Sequence, residues 1–139
     1  MPDSSEIDQA LIQRLSSDTT LLGLMPNGVY WEIAPPGSKQ FVIVSLLEES
    51  DEREFEARAF EDALYLVKAV ELGTVTVKNI KAAAARIDVL LEEQVLTVTG
   101  YAPMACYRET RIRATERDEV DASILWFHRG GHYRVVMST

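Results

Sequence analysis

Residues 122–138 read "ASILWFHRGGHYRVVMS", and the reading of the two central glycines decides how the C-terminal part of the chain folds. A Gly-Gly pair between aromatic and β-branched runs is a hairpin signal, because glycine accepts the backbone angles that a tight reversal demands. The stretch therefore predicts two strands joined at Gly130 and Gly131, with His128, Arg129 and His132 flanking the turn. Both histidines of the chain lie here. In a two-residue turn His128 stands opposite Tyr133, and the two imidazoles project from opposite faces of the sheet. In a three-residue loop His128 faces His132, and both could touch one ion. A zinc site needs three or four protein ligands, and apart from these two the chain has only Cys106 as a soft ligand. The turn-flanking reading is preferred, and no metal or cofactor is expected.

Outward from that segment the pattern alternates between strand and helix. "VLTVTGY" (95–101) and "ACYRETRIRATE" (105–116) alternate with period two and predict strands. Before them, Val77, Ile80, Ala84, Ile87 and Leu91 step by three and four, which predicts an amphipathic helix over 77–91 with Thr76 as its cap. Residues 57–71 are ambiguous: Phe60, Leu64, Val67 and Glu71 suit a helix, whereas Tyr65, Val67 and Ala69 suit one strand face. The pattern leans to helix. "QFVIVSLL" (40–47) reads as a strand buried on both faces, "VYWEIA" (29–34) as a short strand, and "APPGSK" (34–39) as a loop. Ile7, Leu11 and Leu15 mark a helix over 6–16 capped by Ser4 or Ser5. Asp18 caps a shorter apolar turn that ends at Pro26-Asn27-Gly28. The fold class is α+β: a single mixed or antiparallel sheet, two main helices on one face, and a C-terminal β-hairpin, all within one domain spanning 1–139.

Composition sets the limits on function. At 139 residues the chain matches the common domain size of ~100–150 residues. One cysteine rules out an intrachain disulfide and suits a reducing compartment. The start "MPDSSEIDQA" has no signal-peptide pattern, and no apolar run approaches the ~20 residues of a membrane helix, so a soluble, cytoplasmic protein without membrane contact is expected. A net charge of −8 argues against clamping nucleic acid, since phosphate binding needs cations. Charge is also unevenly placed. From Glu48 to Asp62 there are eight acids against two arginines, while arginines gather at 108, 111, 113, 117, 129 and 134. Glutamates alternate with those arginines, so cross-strand or intersubunit ion pairs are a better use for them than reading DNA.

Catalysis has no visible owner. Cys106 sits among apolar neighbours and reads as a small buried hydrophobe. No glycine forms a GxGxxG or GxxxxGK[ST] cradle, no serine lies in a GxSxG elbow, and the acidic run lacks calcium-loop spacing. A small hydrolase around His128, Asp121 and Cys106 is the enzyme alternative. A ligand-binding α+β domain is another.

The segment from "VLLEEQVLTVTGYAPMACYRETRIRATE" through "ILWFHRGGHYRVVM", preceded by a helix, "GVYWEIAPPG" and "QFVIVSLL", resembles the tail completion proteins of tailed phages. These are the tail terminators related to the minor tail protein U of phage lambda, with the tail-to-head joining proteins of the same fold. The resemblance implies that 57–70 is a strand of the central sheet, against the helical lean of the pattern. It further implies a homo-oligomeric ring, a hexamer, that caps the major tail tube protein at the tail–head junction of the virion after assembly in the host cytoplasm. Such a ring stops polymerisation, offers a docking surface to the head-neck connector, and lets DNA pass through its bore without specific binding. A head-side adaptor is the rival within that family. In a ring, Glu48, Glu49, Asp51, Glu52, Glu54 and Glu56 would line an acidic lumen that repels DNA phosphate. Arg108, Arg111 and Arg113 would make intersubunit pairs, and Trp126, Tyr133 and Arg134 would act as sheet or interface anchors.

Overall fold

The structure, a computed structural model, describes residues 5–54, 57–73, 79–98 and 100–138, with backbone alone at 5, 49–54, 57–61, 103–104 and 138. Two helices come first, α1 (Ser5–Ser16) and α2 (Thr19–Leu24), followed by β1 (Val29–Trp31), β2 (Gln40–Glu54) and β3 (Ala57–Gly73). Then come α3 (Ile80–Leu91), β4 (Ala102–Arg117) and β5 (Leu125–Ser138). The strands form one five-stranded sheet in the order β1-β2-β3-β5-β4. β1 runs parallel to β2 and every other pair is antiparallel. This is the α+β, mixed-sheet class that the sequence predicts.

One core lies between the helices and one face of the sheet. Ile7, Leu11 and Leu15 of α1, and Ala83, Ile87 and Leu91 of α3, meet Val42, Val44, Tyr65, Val67, Ala69, Cys106, Tyr133 and Val135. These strand residues fall at alternate positions, as a one-sided sheet requires. Polar anchors fix the helices on it. Tyr65 Oη donates to Asp8 at 2.5 Å. Asp18 caps α2 through Leu21 N at 2.8 Å and holds Arg86 of α3 at 2.7 Å. The Arg86 guanidinium keeps the Asp18 carboxyl below the usual carboxylate range. Glu71, buried at the end of β3, accepts from Asn79 N at 3.2 Å and so serves the first turn of α3. The predicted cap Thr76 lies outside the described residues, as does Val77.

Three expectations need correction. First, there is no turn at Gly130-Gly131. β5 runs unbroken from Leu125 to Ser138, paired with β3 on one side and β4 on the other. The glycines serve close approach instead of reversal. A Cβ on Gly130 would lie 2.1 Å from Val67 O and 2.5 Å from Lys68 Cα, and one on Gly131 would lie 2.8 Å from Thr110 O. The C-terminal hairpin exists, but it is β4–β5, reversed through 118–124, where Asp118 N donates to Ile124 O at 2.9 Å. Second, residues 95–98 of "VLTVTGY" join no ladder, although their alternation is real: Leu96 and Val98 are buried and Val95 and Thr97 exposed. Third, 57–73 is a strand, so the helical lean of its pattern fails where the resemblance succeeds.

Candidate functional site

Among the described residues, no helix or second sheet packs on the face of the sheet away from α1 and α3. The segment 32–38 lies over part of it, bordering an open cleft of about 480 Å³ with Phe41, Ile43, Leu66, Lys68, Val70, Glu116, Trp126 and His128. This accounts for the doubly apolar run of β2: Ile43 is buried on this side while Val42 and Val44 are buried on the other. Trp126 lies 6.2 Å from Phe41, centroid to centroid, and donates its Nε1 to Asp118 at 2.9 Å. It is an anchor within the chain.

His128 and His132 both belong to this face, on one straight strand. Four strand residues span roughly 13 Å, so they cannot share an ion, and neither turn geometry considered from the sequence applies. Among the described residues no group of three or more metal-ligating side chains gathers anywhere. His128 Nε2 lies 3.0 Å from Glu116 Oε1 but off the line of a hydrogen bond, and both ring nitrogens are buried without one. Burial, helped by the nearby Lys68 ammonium, lowers the His128 pKa. Burial likewise lowers that of Lys68.

Further along the same face, Arg134 of β5 is the hub of the acidic region. It holds Glu109 of β4 at 2.5 Å, Glu48 of β2 at 3.1 Å, and Asp62 of β3. One guanidinium, with only 17% of its side chain exposed, thus ties four strands together. The Glu109 hydrogen bond, then that to Asp62, raises the arginine pKa, and Arg134 in turn lowers that of Glu109. Arg134 finds its partners inside the chain. So does Arg108, which pairs with Asp88 of α3. Tyr133, expected as a sheet or interface anchor, is a core residue of the sheet at 1% exposure whose hydroxyl donates to Asp88, so its side chain serves the core of its own chain.

Arg111 and Arg113 are exposed on β4, the outer strand of the sheet. With Lys81, Arg129 and Asp88 they line a second cavity of about 360 Å³ beside α3. Arg129 belongs to this basic cluster, a grouping that the turn reading hid. Glu49, Asp51, Glu52 and Glu54 lie on β2. Glu56 lies outside the described residues. Cys106 is 1% exposed, and burial pushes its thiol up to about 12, far from the thiolate that nucleophilic chemistry requires. Asp121 sits in the β4–β5 connection, accepting from Ser123 Oγ at 2.6 Å. Cys106 is in the helix-side core and His128 on the opposite face, so the hydrolase grouping does not form.

No protein-family model matches the chain. No curated protein matches it either. Among solved structures, a chain from the virion of a native gene transfer agent particle superposes with a TM-score of 0.69 at 19% identity, covering 98% of this chain and 97% of that one. A second solved chain gives a TM-score of 0.59 at 16% identity, over 97% and 96% respectively. At these identities the likeness establishes a shared fold along the whole length.

Proposed function

We propose that the chain is a structural protein of a phage-like virion: a tail terminator that forms a ring, a hexamer, on the last layer of the tail tube. The observation that carries this reading is the fold match with a chain of a gene transfer agent virion over 98% of this chain and 97% of that one. The surfaces are consistent with assembly work. No nucleophile, metal cluster or phosphate cradle stands among the described residues, while the sheet has two open edges and a half-covered face. Heterologous contacts between different edges close into rings when the rotation allows it, and exposed edges accept neighbouring strands.

In such a ring the helices face outward and the uncovered face looks into the bore. That face carries Glu48, Asp62, Glu109 and Glu116 against Lys68 and Arg134, an acidic balance that keeps DNA phosphate from sticking as it passes. One rim accepts the tube protein and the other the head-neck connector. The test is electron microscopy of tails assembled without the protein. Overlong tubes are expected, and tails of normal length joined normally to heads contradict the reading. Binding of the purified protein to capsids but not to tails would move it to the head side of the joint.

A further inference from the structure

We infer that copies of this chain join edge to edge, the acidic half of β2 from one copy laid antiparallel against the arginine half of β4 from the next. Glu49 would then sit opposite Arg113, and Asp51 opposite Arg111. The inference rests on the ring proposed above and supplies its contact.

The topology leaves two edges. At one, β1 covers β2 only at Val42–Val44, and Glu32 N extends the cover by one bond to Val44 O. The part of β2 left open beyond them, 45–54, carries five acids: Glu48, Glu49, Asp51, Glu52 and Glu54. At the other edge, among the described strands, β4 pairs with β5 alone, and it carries Arg111, Arg113 and Arg117. An unpaired strand edge is a row of free amides and carbonyls that invites a strand. Here the two invitations differ in sign. Like edges repel and unlike edges attract, which selects the head-to-tail contact that a ring needs over a symmetric dimer.

Register sharpens the argument. β2, β3, β5 and β4 alternate in direction, so a neighbour's β2 beside β4 continues the antiparallel order. In antiparallel pairing the sum of partner numbers is constant, and one register brings both Glu49 to Arg113 and Asp51 to Arg111. Glu49 and Asp51 lie between the irregularities at Leu46/Glu48 and Glu52/Arg53, and Arg111 and Arg113 lie beyond the one at Arg108/Thr110. Both stretches are therefore regular ladder. Within one copy Glu49 is level, across the sheet, with Val135, and Arg113 with Arg129. Val135 and Arg129 stand six residues apart on β5, so each neighbour is staggered by six. An even stagger keeps the two faces of the sheet in phase, and a constant stagger in one sense is the shear that barrel closure requires. The basic cavity between α3 and β4 adds to the match. On an acidic chain, Lys81, Arg111, Arg113 and Arg129 surround a cleft with one carboxylate among its lining residues, Asp88, which Arg108 engages and which also lies 4.0 Å from the Arg111 guanidinium. An acidic strand along β4 would supply what they lack. DNA phosphate is the weaker candidate for this cleft, since the net charge of −8 opposes its approach.

The test is native mass spectrometry and sedimentation of the full chain, free and with purified tail tubes, at low and high salt. Three variants accompany the wild type: Arg111→Glu/Arg113→Glu, Glu49→Arg/Asp51→Arg, and all four changes together. Each double variant should assemble at least roughly tenfold more weakly, because attraction at two cross-strand positions becomes repulsion. The fourfold variant should recover most of the loss, and raised salt should weaken the wild type. A wild-type ring that survives both double reversals, or a fourfold variant that does not recover while its melting temperature is unchanged, overturns this contact and leaves the ring standing. A wild type that stays monomeric even on tubes removes the ring, and the contact with it. Should the arginine reversals spare assembly but abolish binding to duplex DNA, the cleft is a phosphate site and the inference is wrong.

Discussion

The two faces of the sheet differ in how far the chain itself completes them. On the helix side, alternate residues from Val42 to Val135 reach zero exposure, and each polar group carried inward meets a partner, as Tyr65 does with Asp8 and Tyr133 with Asp88. On the other side Leu64, Leu66, Ile112, Trp126 and Val136 are only half-buried, and Arg134 holds Glu48, Asp62 and Glu109. One face is finished by folding, and the other is left half-covered; in the proposed ring it turns to the bore. Substitutions on the first should damage the isolated chain, and substitutions on the second should damage the assembly.

The largest effect is expected at the seam between the strands. Gly130→Val drives a branched side chain into the backbone of β3, and thermal or urea unfolding should show a loss of about 4 kcal/mol or no folded protein at all. Unchanged stability would restore the turn reading. Next, Leu91→Ala in the helix-side core should cost about 3 kcal/mol. Leu66→Ala on the uncovered face should cost about 1 kcal/mol in the free chain, and the gap should narrow when both are measured in assembled particles. Equal costs in the free chain would mean that a second layer covers the outer face already.

Arg134→Ala should cost roughly 2 kcal/mol at neutral pH, since it leaves three carboxylates facing one another on neighbouring strands. The pH dependence has a definite sign. Glu109 has a folded pKa below its unfolded value, so its contribution is present above the unfolded pKa and lost as pH falls through the folded one. The deficit of Arg134→Ala should therefore shrink in acid, and a deficit that grows there would contradict the hub. The smallest effect concerns His128, whose folded pKa is also lowered. For a base this favours the neutral form in the folded state, so stability falls as pH drops below the ordinary histidine range of about 6.5. His128→Gln should flatten the pH profile of the melting temperature between pH 7.5 and 5.5, and a profile as steep as the wild type's would assign the titration elsewhere.

Much of this was legible in the residues. Heptad-like spacing located α1 and α3, and Asp18 announced its cap. The misreading at Gly130-Gly131 has a physical cause, because glycine serves both tight turns and close backbone approach, and composition alone does not separate the two. A finer signal was present: Gly131, Tyr133, Val135 and Met137 keep the inward phase of Phe127 straight through the glycines, and an unbroken phase belongs to an unbroken strand. The lean to helix at 57–71 failed for a related reason, since spacings of three and four share residues with spacings of two over so short a run. The surroundings of the residues expected at an interface were half legible. Arg111 and Arg113 are exposed, Arg111 with only a long contact to Asp88, but the burial of Tyr133 and the engagement of Arg108 and Arg134 depend on which elements the topology brings over them, and that is written in no local pattern.

Cryo-microscopy of intact particles bears most directly on the account. The prediction is a closed ring above the last layer of the tail tube, helices outward, with the face bearing Glu48, Asp62 and Arg134 turned to the bore. Density for the chain at any other position in the particle, or at that position with α1 and α3 lining the bore, contradicts it.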